Sequence, residues 1–231
     1  MKLSSDLRDY LETIRSYNSI AEGYRFWRAR PWPITRVVKG KVILDAGSGP
    51  CVNGAEAAKR NDAYVICLDT STTMLLEAKE ILIKRGVLGD AIVADATKMP
   101  LRSSSIDAVM AVALIHHLPK PLAEIFLREV YRVLKPKGML VATVWLWRQR
   151  RFALQTVLNY LRTLGGLLGY PRKYTVLWRT RRGSYKRIYY LYTEKELAEL
   201  AKKASLRVLS LGYTYYLKHE NRNLYLIALK A

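Results

Sequence analysis

The chain has 231 residues, half of them hydrophobic, and carries 39 Lys and Arg against 19 Asp and Glu, a formal net charge of +20. That length and composition suit one packed domain and exclude a disordered chain. No apolar run approaches the roughly 18 residues of a bilayer span, and the charged, amphipathic start lacks a secretory core, so a cytoplasmic protein is expected.

The first predicted element is a helix over 7–27, with Leu7, Tyr10, Leu11 and Ile14 at helical spacing. It runs into RFWRARPWP at 25–33, where three arginines, two tryptophans and two prolines share nine positions. Next, KVILDAGSG (41–49) reads as a buried parallel strand and its glycine-rich exit loop. NGAEAAKRN is a short helix, YVICLD (64–69) a second strand and STTMLLEAKEILIKRG (71–86) a helix capped by Ser71 or Thr72. Strands follow at 91–95, 106–114 and 138–147. A helix at 121–135 carries an apolar stripe of Leu122, Ile125, Phe126, Val130 and Val133. Cys51 and Cys67 are too few for a disulfide framework or metal cluster; both are expected as reduced thiols near adjacent strands, with a single bridge between them as the alternative, and no metal site is expected.

Beyond strand five the character changes. Residues 1–129 hold 18 basic and 15 acidic side chains, whereas 130–193 hold 14 basic and none acidic. A one-sign block repels itself and expects a polyanion, nucleic acid ahead of an anionic membrane surface, because the block lacks a clean basic amphipathic helix. A helix at 193–206 opens with Thr193 and Glu196 in a capping box, and strands at 207–216 and 223–231 complete the chain. Alternating strands and helices make this α/β, with a parallel sheet and its ligand site beyond the strand ends.

The loops there carry a pattern. Asp45, Gly47 and Gly49 follow strand one, Asp69 ends strand two twenty residues after Gly49, and Asp95 ends strand three. Val52 replaces the third glycine of a dinucleotide fingerprint, and no phosphate-loop lysine is present. D-x-G-x-G followed by two strand-end aspartates resembles the Rossmann-like S-adenosylmethionine-dependent methyltransferases. The resemblance implies a seven-stranded, mostly parallel sheet with the last strand antiparallel and helices on both faces. It also implies S-adenosylmethionine as cofactor, held by Asp45, Gly47, Ser48, Gly49, Asp69, Thr70, Asp95, Ala96, Ala113 and His117. Asp69 would take the ribose and Asp95 the adenine amine.

Four further stretches, YNSIAEGYRFWRARPWP (17–33), AVALIHHLP (111–119), LVATVWLWRQ (140–149) and KRIYYLYTEKELAEL (186–200), resemble the tRNA wobble-uridine carboxymethyl methyltransferases. That family esterifies 5-carboxymethyluridine to 5-methoxycarbonylmethyluridine. The resemblance implies one methyltransferase domain over 1–231, with 1–40 forming part of the active site and 148–190 serving the tRNA anticodon stem-loop. It also implies a small zinc-binding activator pairing with the strand-three edge at 90–95. The first motif departs from the family's usual G-C-G-N-G-K-Y, reading G-S-G-P-C-V-N here.

A carboxylate acceptor needs a cation to hold it rather than a base, and arginine's planar fork suits that task. Arg28 and Arg30 are the candidate clamp, with His116 on the acceptor and His117 beside the cofactor. Arg148, Arg150, Arg151, Arg172, Lys173, Arg179, Arg181, Arg182, Lys186 and Arg187 are candidates for phosphates, and Tyr174, Trp178, Tyr185, Tyr189 and Tyr190 for stacking on bases. Trp32 packs against the domain or stacks on a base. The same cofactor motifs fit a small-molecule methyltransferase with a quinone- or lipid-like acceptor, and a catalytically silent RNA-binding protein would keep the fold.

Overall fold

The computed structural model describes residues 5–27, 30–149, 152–164, 167, 172–180, 183–215 and 222–231. In chain order the elements are α1 (Ser5–Trp27), β1 (Val42–Ala46), α2 (Val52–Asn61), β2 (Tyr64–Asp69), α3 (Thr72–Arg85), β3 (Gly89–Val93), β4 (Ile106–Val112) and α4 (Lys120–Val133). Then come β5 (Leu134–Trp145), α5 (Ala153–Arg162), β6 (Lys173–Thr180), β7 (Gly183–Tyr190), α6 (Glu194–Lys203), β8 (Leu206–Tyr215) and β9 (Arg222–Lys230).

Seven strands form one sheet in the order β3-β2-β1-β4-β5-β9-β8. All neighbours from β3 to β5 are parallel, and β9 runs antiparallel to both β5 and β8. The apolar run Val42–Leu44 does not alternate because both sheet faces are covered, and Ile43 and Leu44 are fully buried. From β1 the chain steps outward to β2 and β3, then returns to β4 on the other side of β1. That reversal opens a crevice beyond the strand ends, as expected of a doubly wound sheet.

Helix boundaries follow their caps. Ser71 Oγ accepts the Met74 N–H at the start of α3, and Gly86 ends it in the left-handed region. Thr193 and Glu196 close the expected capping box on α6. The stripe of α4 is rotated from its expected position: Phe126, Leu127, Val130 and Val133 are buried, while Ile125 is exposed.

The stretch 148–188, without a clear period in the sequence, holds α5 and a separate β6–β7 hairpin. Phe152, Tyr174, Tyr189 and Leu191 form a small core of their own there. Tyr174, Tyr189 and Tyr190 are therefore buried rather than open for base stacking.

A second correction concerns the cysteines. Cys51, at the start of α2 with φ 56°, and Cys67, on β2, are joined in a disulfide with Cα atoms 5.8 Å apart. The turn after β1 folds back over β2, which brings the two within bridging distance. The bridge closes a loop between residues 16 apart in sequence. Replacing both cysteines by serine is expected to lower the unfolding free energy by about 3 kcal/mol in a denaturant titration. The oxidised wild type should lose a similar amount when reduced.

Candidate active site

The glycine loop is pinned before any ligand arrives. Gly47 and Ser48 N–H groups donate to the Leu68 carbonyl at 2.8 and 3.1 Å. Gly47 has φ +65°, and a Cβ there would lie 2.7 Å from Leu114 Cδ1, so glycine is required. Asp45, 1% exposed, accepts the Gly54 N–H at 2.8 Å and so ties β1 to α2. Asp69 joins the first loop to the second: Oδ2 accepts from Gly49 N at 2.8 Å and Oδ1 from Ser71 N at 2.9 Å.

These loops floor an open cleft enclosing about 970 Å³, part of it continuous with solvent. Gly47, Ser48, Gly49, Asp69, Thr70, Ala96, Ala113 and His117, all expected at a cofactor, line it together with Arg30. Ala113 has φ 60°, a strained conformation for alanine at the end of β4, held by its N–H donating to Thr143. Asp95 is placed differently. Its Oδ1 accepts from Tyr10 Oη, Thr97 N and Thr97 Oγ1, while neighbouring Ala94 and Ala96 form the cleft wall.

The sequence reading missed the wall supplied by α1: Tyr10, Thr13, Ile14 and Tyr17. Tyr10 and Ile14 were visible only as part of a helical stripe; nothing local showed which way that stripe faces. Tyr17 Oη lies 3.0 Å from His117 Nε2 and accepts from Arg187 Nη1 at 3.4 Å. Trp32 is buried, and its backbone N–H donates to Asn53 Oδ1 at 2.9 Å, which pins the Pro-Trp-Pro segment to α2. Exposed Arg30 is thereby held at the rim. Arg28 lies outside the described residues.

Three placements correct the sequence reading. His116 is 1% exposed, accepts from the Trp145 backbone N–H at 3.3 Å through Nδ1 and stacks on the Trp145 ring. It packs beneath the site, and His117 is the histidine facing the cleft. Arg172 is buried, pairing with Glu196 and donating to Tyr160 Oη. Arg187, 4% exposed, lies over the Trp178 ring at 4.6 Å. Both guanidiniums are built into the hairpin's packing, so neither meets phosphates as expected.

Lys173 pairs with Asp9, exposed Lys186 reaches Glu12 at 3.9 Å, and Arg148 is exposed. Arg179 stands on β6, opposite Ser184. Arg150, Arg151, Arg181 and Arg182 lie outside the described residues.

Two neighbouring carboxylates shape the electrostatics. Burial pushes Asp45 up to about 7, with the Gly54 hydrogen bond opposing and the Asp69 charge adding to the rise. Burial likewise raises Asp69, against the N–H groups of Ser71 and Gly49. A cationic ligand would relieve both. S-adenosylmethionine fits this wall: a sulfonium and an ammonium for the negative field, and ribose hydroxyls for Asp69. The apolar Met74, Ala94 and Ala96 suit an adenine face.

A methyltransferase-domain family matches residues 43–138, the segment that carries this floor. Its neighbours in fold include a didemethyltoxoflavin N1-methyltransferase of Burkholderia thailandensis with bound S-adenosylhomocysteine (16% identity, TM-score 0.69, 100% of this chain and 92% of that one). The chain has the fold of S-adenosylmethionine-dependent methyltransferases and carries a match to a methyltransferase domain.

It shares its fold with a Methanosarcina mazei S-adenosylmethionine-dependent methyltransferase (20% identity, TM-score 0.70, 87% and 98% covered). The same holds for a putative Haloferax volcanii methyltransferase solved with the Trm112 methyltransferase activator (16%, TM-score 0.67, 94% and 97%). In sequence it is 31% identical over 139 residues to a Mus musculus tRNA (carboxymethyluridine(34)-5-O)-methyltransferase, covering 58% of this chain and 20% of that protein. An Arabidopsis thaliana protein of the same name is 31% identical over 148 residues, 62% and 34% covered. The aligned part thus spans a fifth to a third of these relatives. A rice cycloartenol-C-24-methyltransferase is 34% identical over 111 residues, 47% and 32% covered. The resemblance to the carboxymethyluridine methyltransferases read from the motifs is borne out.

Two outcomes test this site. Asp69→Ala should weaken S-adenosylhomocysteine binding roughly tenfold to a hundredfold by calorimetry, the worth of charge-assisted hydrogen bonds. For Asp45 the raised folded pKa means that the native state holds a proton the unfolded chain has already lost. Its contribution to stability therefore declines as pH rises from about 4, the unfolded value, to about 7. Asp45→Asn, which can still accept from Gly54, should flatten that decline in unfolding measured across this window.

Proposed function

We propose that this methyltransferase esterifies the carboxymethyl group of a wobble uridine in tRNA, converting 5-carboxymethyluridine to 5-methoxycarbonylmethyluridine. The observation that carries the reading is Arg30 at the rim of the cofactor cleft, on a segment anchored by buried Trp32, in a chain similar to enzymes named for this reaction. Bound S-adenosylmethionine supplies an electrophilic methyl group. A carboxylate with a free pKa of about 4 is ionised at neutral pH, so no residue need act as general base. The chain's task is to orient an anion and exclude water, which is catalysis by proximity.

Arg30 is our candidate for gripping the carboxylate, with Arg28 as a second cation. His117 and Tyr17, hydrogen-bonded to each other across the cleft, would border the uracil. Arg148, Lys186 and the remaining arginines of the basic block would meet anticodon-loop phosphates, and partly exposed Trp178 and Tyr185 would offer stacking faces. On this reading residues 1–231 act as one methyltransferase domain, with the N-terminal 40 residues completing the active site.

A zinc-binding activator docked on β3 belongs to the same proposal. Support comes from exposed apolar residues at that edge, Leu88 and Val93, with Leu76 and Ile83 exposed on α3 beside it. An open apolar edge strand invites pairing. The rice relative keeps a small-molecule acceptor as the competing reading.

The test is mass spectrometry of nucleosides from tRNA bearing 5-carboxymethyluridine, incubated with the protein and S-adenosylmethionine, with and without the activator. One methyl should be gained on that nucleoside, and Arg30→Ala should lower kcat/KM by roughly a hundredfold or more, the loss of a charge-assisted clamp. No gain in the presence of activator, with cofactor binding intact, would discard the tRNA substrate. Binding to tRNA should also weaken steeply with salt, through counterion release.

A further inference from the structure

The helix α5 is built inside out. Its polar side chains face the hairpin: Gln155 exchanges two hydrogen bonds of 3.3 Å with the Thr175 backbone, and Thr156 Oγ1 lies 2.9 Å from Tyr174 Oη. Asn159 donates to the Lys173 carbonyl, and Tyr160 Oη accepts from Arg172 at 2.8 Å. The aliphatic residues face outward. Leu154, Val157, Leu158 and Leu161, at i, i+3, i+4 and i+7, are 72%, 58%, 41% and 68% exposed, and none of the helix's residues is buried. A surface helix of a globular protein ordinarily does the reverse.

The sequence segment that carries this stripe has charge of one sign. Residues 130–193 contain 14 cations and no carboxylate. Exposed Arg148 precedes the helix and exposed Arg162 closes it. Leu164 and Leu167 prolong the apolar line and are exposed too.

We propose that α5 is a membrane-surface helix: it lies in the plane of an anionic bilayer, its aliphatic stripe among the acyl chains and exposed Arg162 on headgroup phosphates. Charge and chemistry select this occupant. A second copy of the chain would bring like charge against like. RNA would satisfy the arginines but offers nothing to four aliphatic side chains. The stripe also lacks the tryptophan, tyrosine and arginine anchors typical of tight protein interfaces. No described helix is long and apolar enough to cross a membrane, so the contact is with one face of the bilayer. The sequence shows no clean basic amphipathic helix because the cations sit on the flanking segments, while the polar face of α5 is uncharged and turned inward.

This inference is independent of the acceptor substrate, and its test needs neither tRNA nor cofactor turnover. The full chain is floated with vesicles of phosphatidylcholine alone and of phosphatidylcholine with phosphatidylglycerol. Binding to the anionic vesicles is expected, with little to the zwitterionic ones. Leu154→Ser combined with Leu158→Ser should cut the partition coefficient by roughly tenfold or more, as expected from two aliphatic side chains withdrawn from the bilayer. Leu161→Phe should raise it. Unchanged S-adenosylhomocysteine affinity confirms that the variants are folded. Retention of the serine variant equal to wild type would reduce the effect to charge adsorption and overturn the proposal. So would a dimer that the same substitutions dissociate, or the absence of binding. Should the serine variant fail to fold, Leu161→Phe decides alone, and no gain in partition overturns the inference.

Discussion

The carboxylate of Asp69 holds the two loops that define the cleft. One oxygen receives Gly49 at the end of the β1 loop, the other Ser71 at the start of α3, so a single side chain sets the spacing of both walls. The Leu68 carbonyl, one residue earlier, takes Gly47 and Ser48. Three N–H groups of the glycine loop are thus satisfied by β2 and its end. The disulfide between Cys51 and Cys67 fastens the same loop to the same strand covalently. The loops after β1 and β2 floor the cleft, and the remainder of the fold supplies its walls.

What reaches it is governed by α1 and the segment after it. Tyr10 is anchored to Asp95, Tyr17 to His117, and Ser16 Oγ donates to the Lys186 carbonyl of β7. The N-terminal helix therefore bridges the sheet's ligand edge and the hairpin. A mobile arginine on a free loop would grip an anion poorly; Arg30, two residues from buried Trp32, has little freedom at its base. This preorganisation suits an acceptor that is already nucleophilic, since orientation is the remaining barrier.

The basic block separates into two populations. Arg172 and Arg187 are interior, neutralised by Glu196 or stacked over aromatic rings, where they rigidify the hairpin. Arg148, Arg162 and Lys186 remain on the outside and carry the field that a polyanion would feel. Burial of a guanidinium is tolerated only with such partners, and composition cannot distinguish the two groups. A count of cations per segment reports the sum of both.

Much of the fold is local information. Apolar runs ending in acid and glycine placed β1 and β2, capping residues placed α3 and α6, and Asp45, Gly47, Gly49 and Asp69 mark the floor through spacing set by short βα turns. The long-range choices are not written locally. Which of two adjacent histidines faces the cleft depends on Trp145 and Tyr189, contributed by β5 and β7. Whether Cys51 and Cys67 meet depends on a turn folding back over a neighbouring strand. The outward face of α5 depends on polar partners in a hairpin that follows it. The sequence alone determined the α/β class and the loops that floor the cleft, because these rest on contacts within one βαβ unit. Only the tertiary structure decided orientation and burial, because a side chain's environment is set by residues far away in the chain.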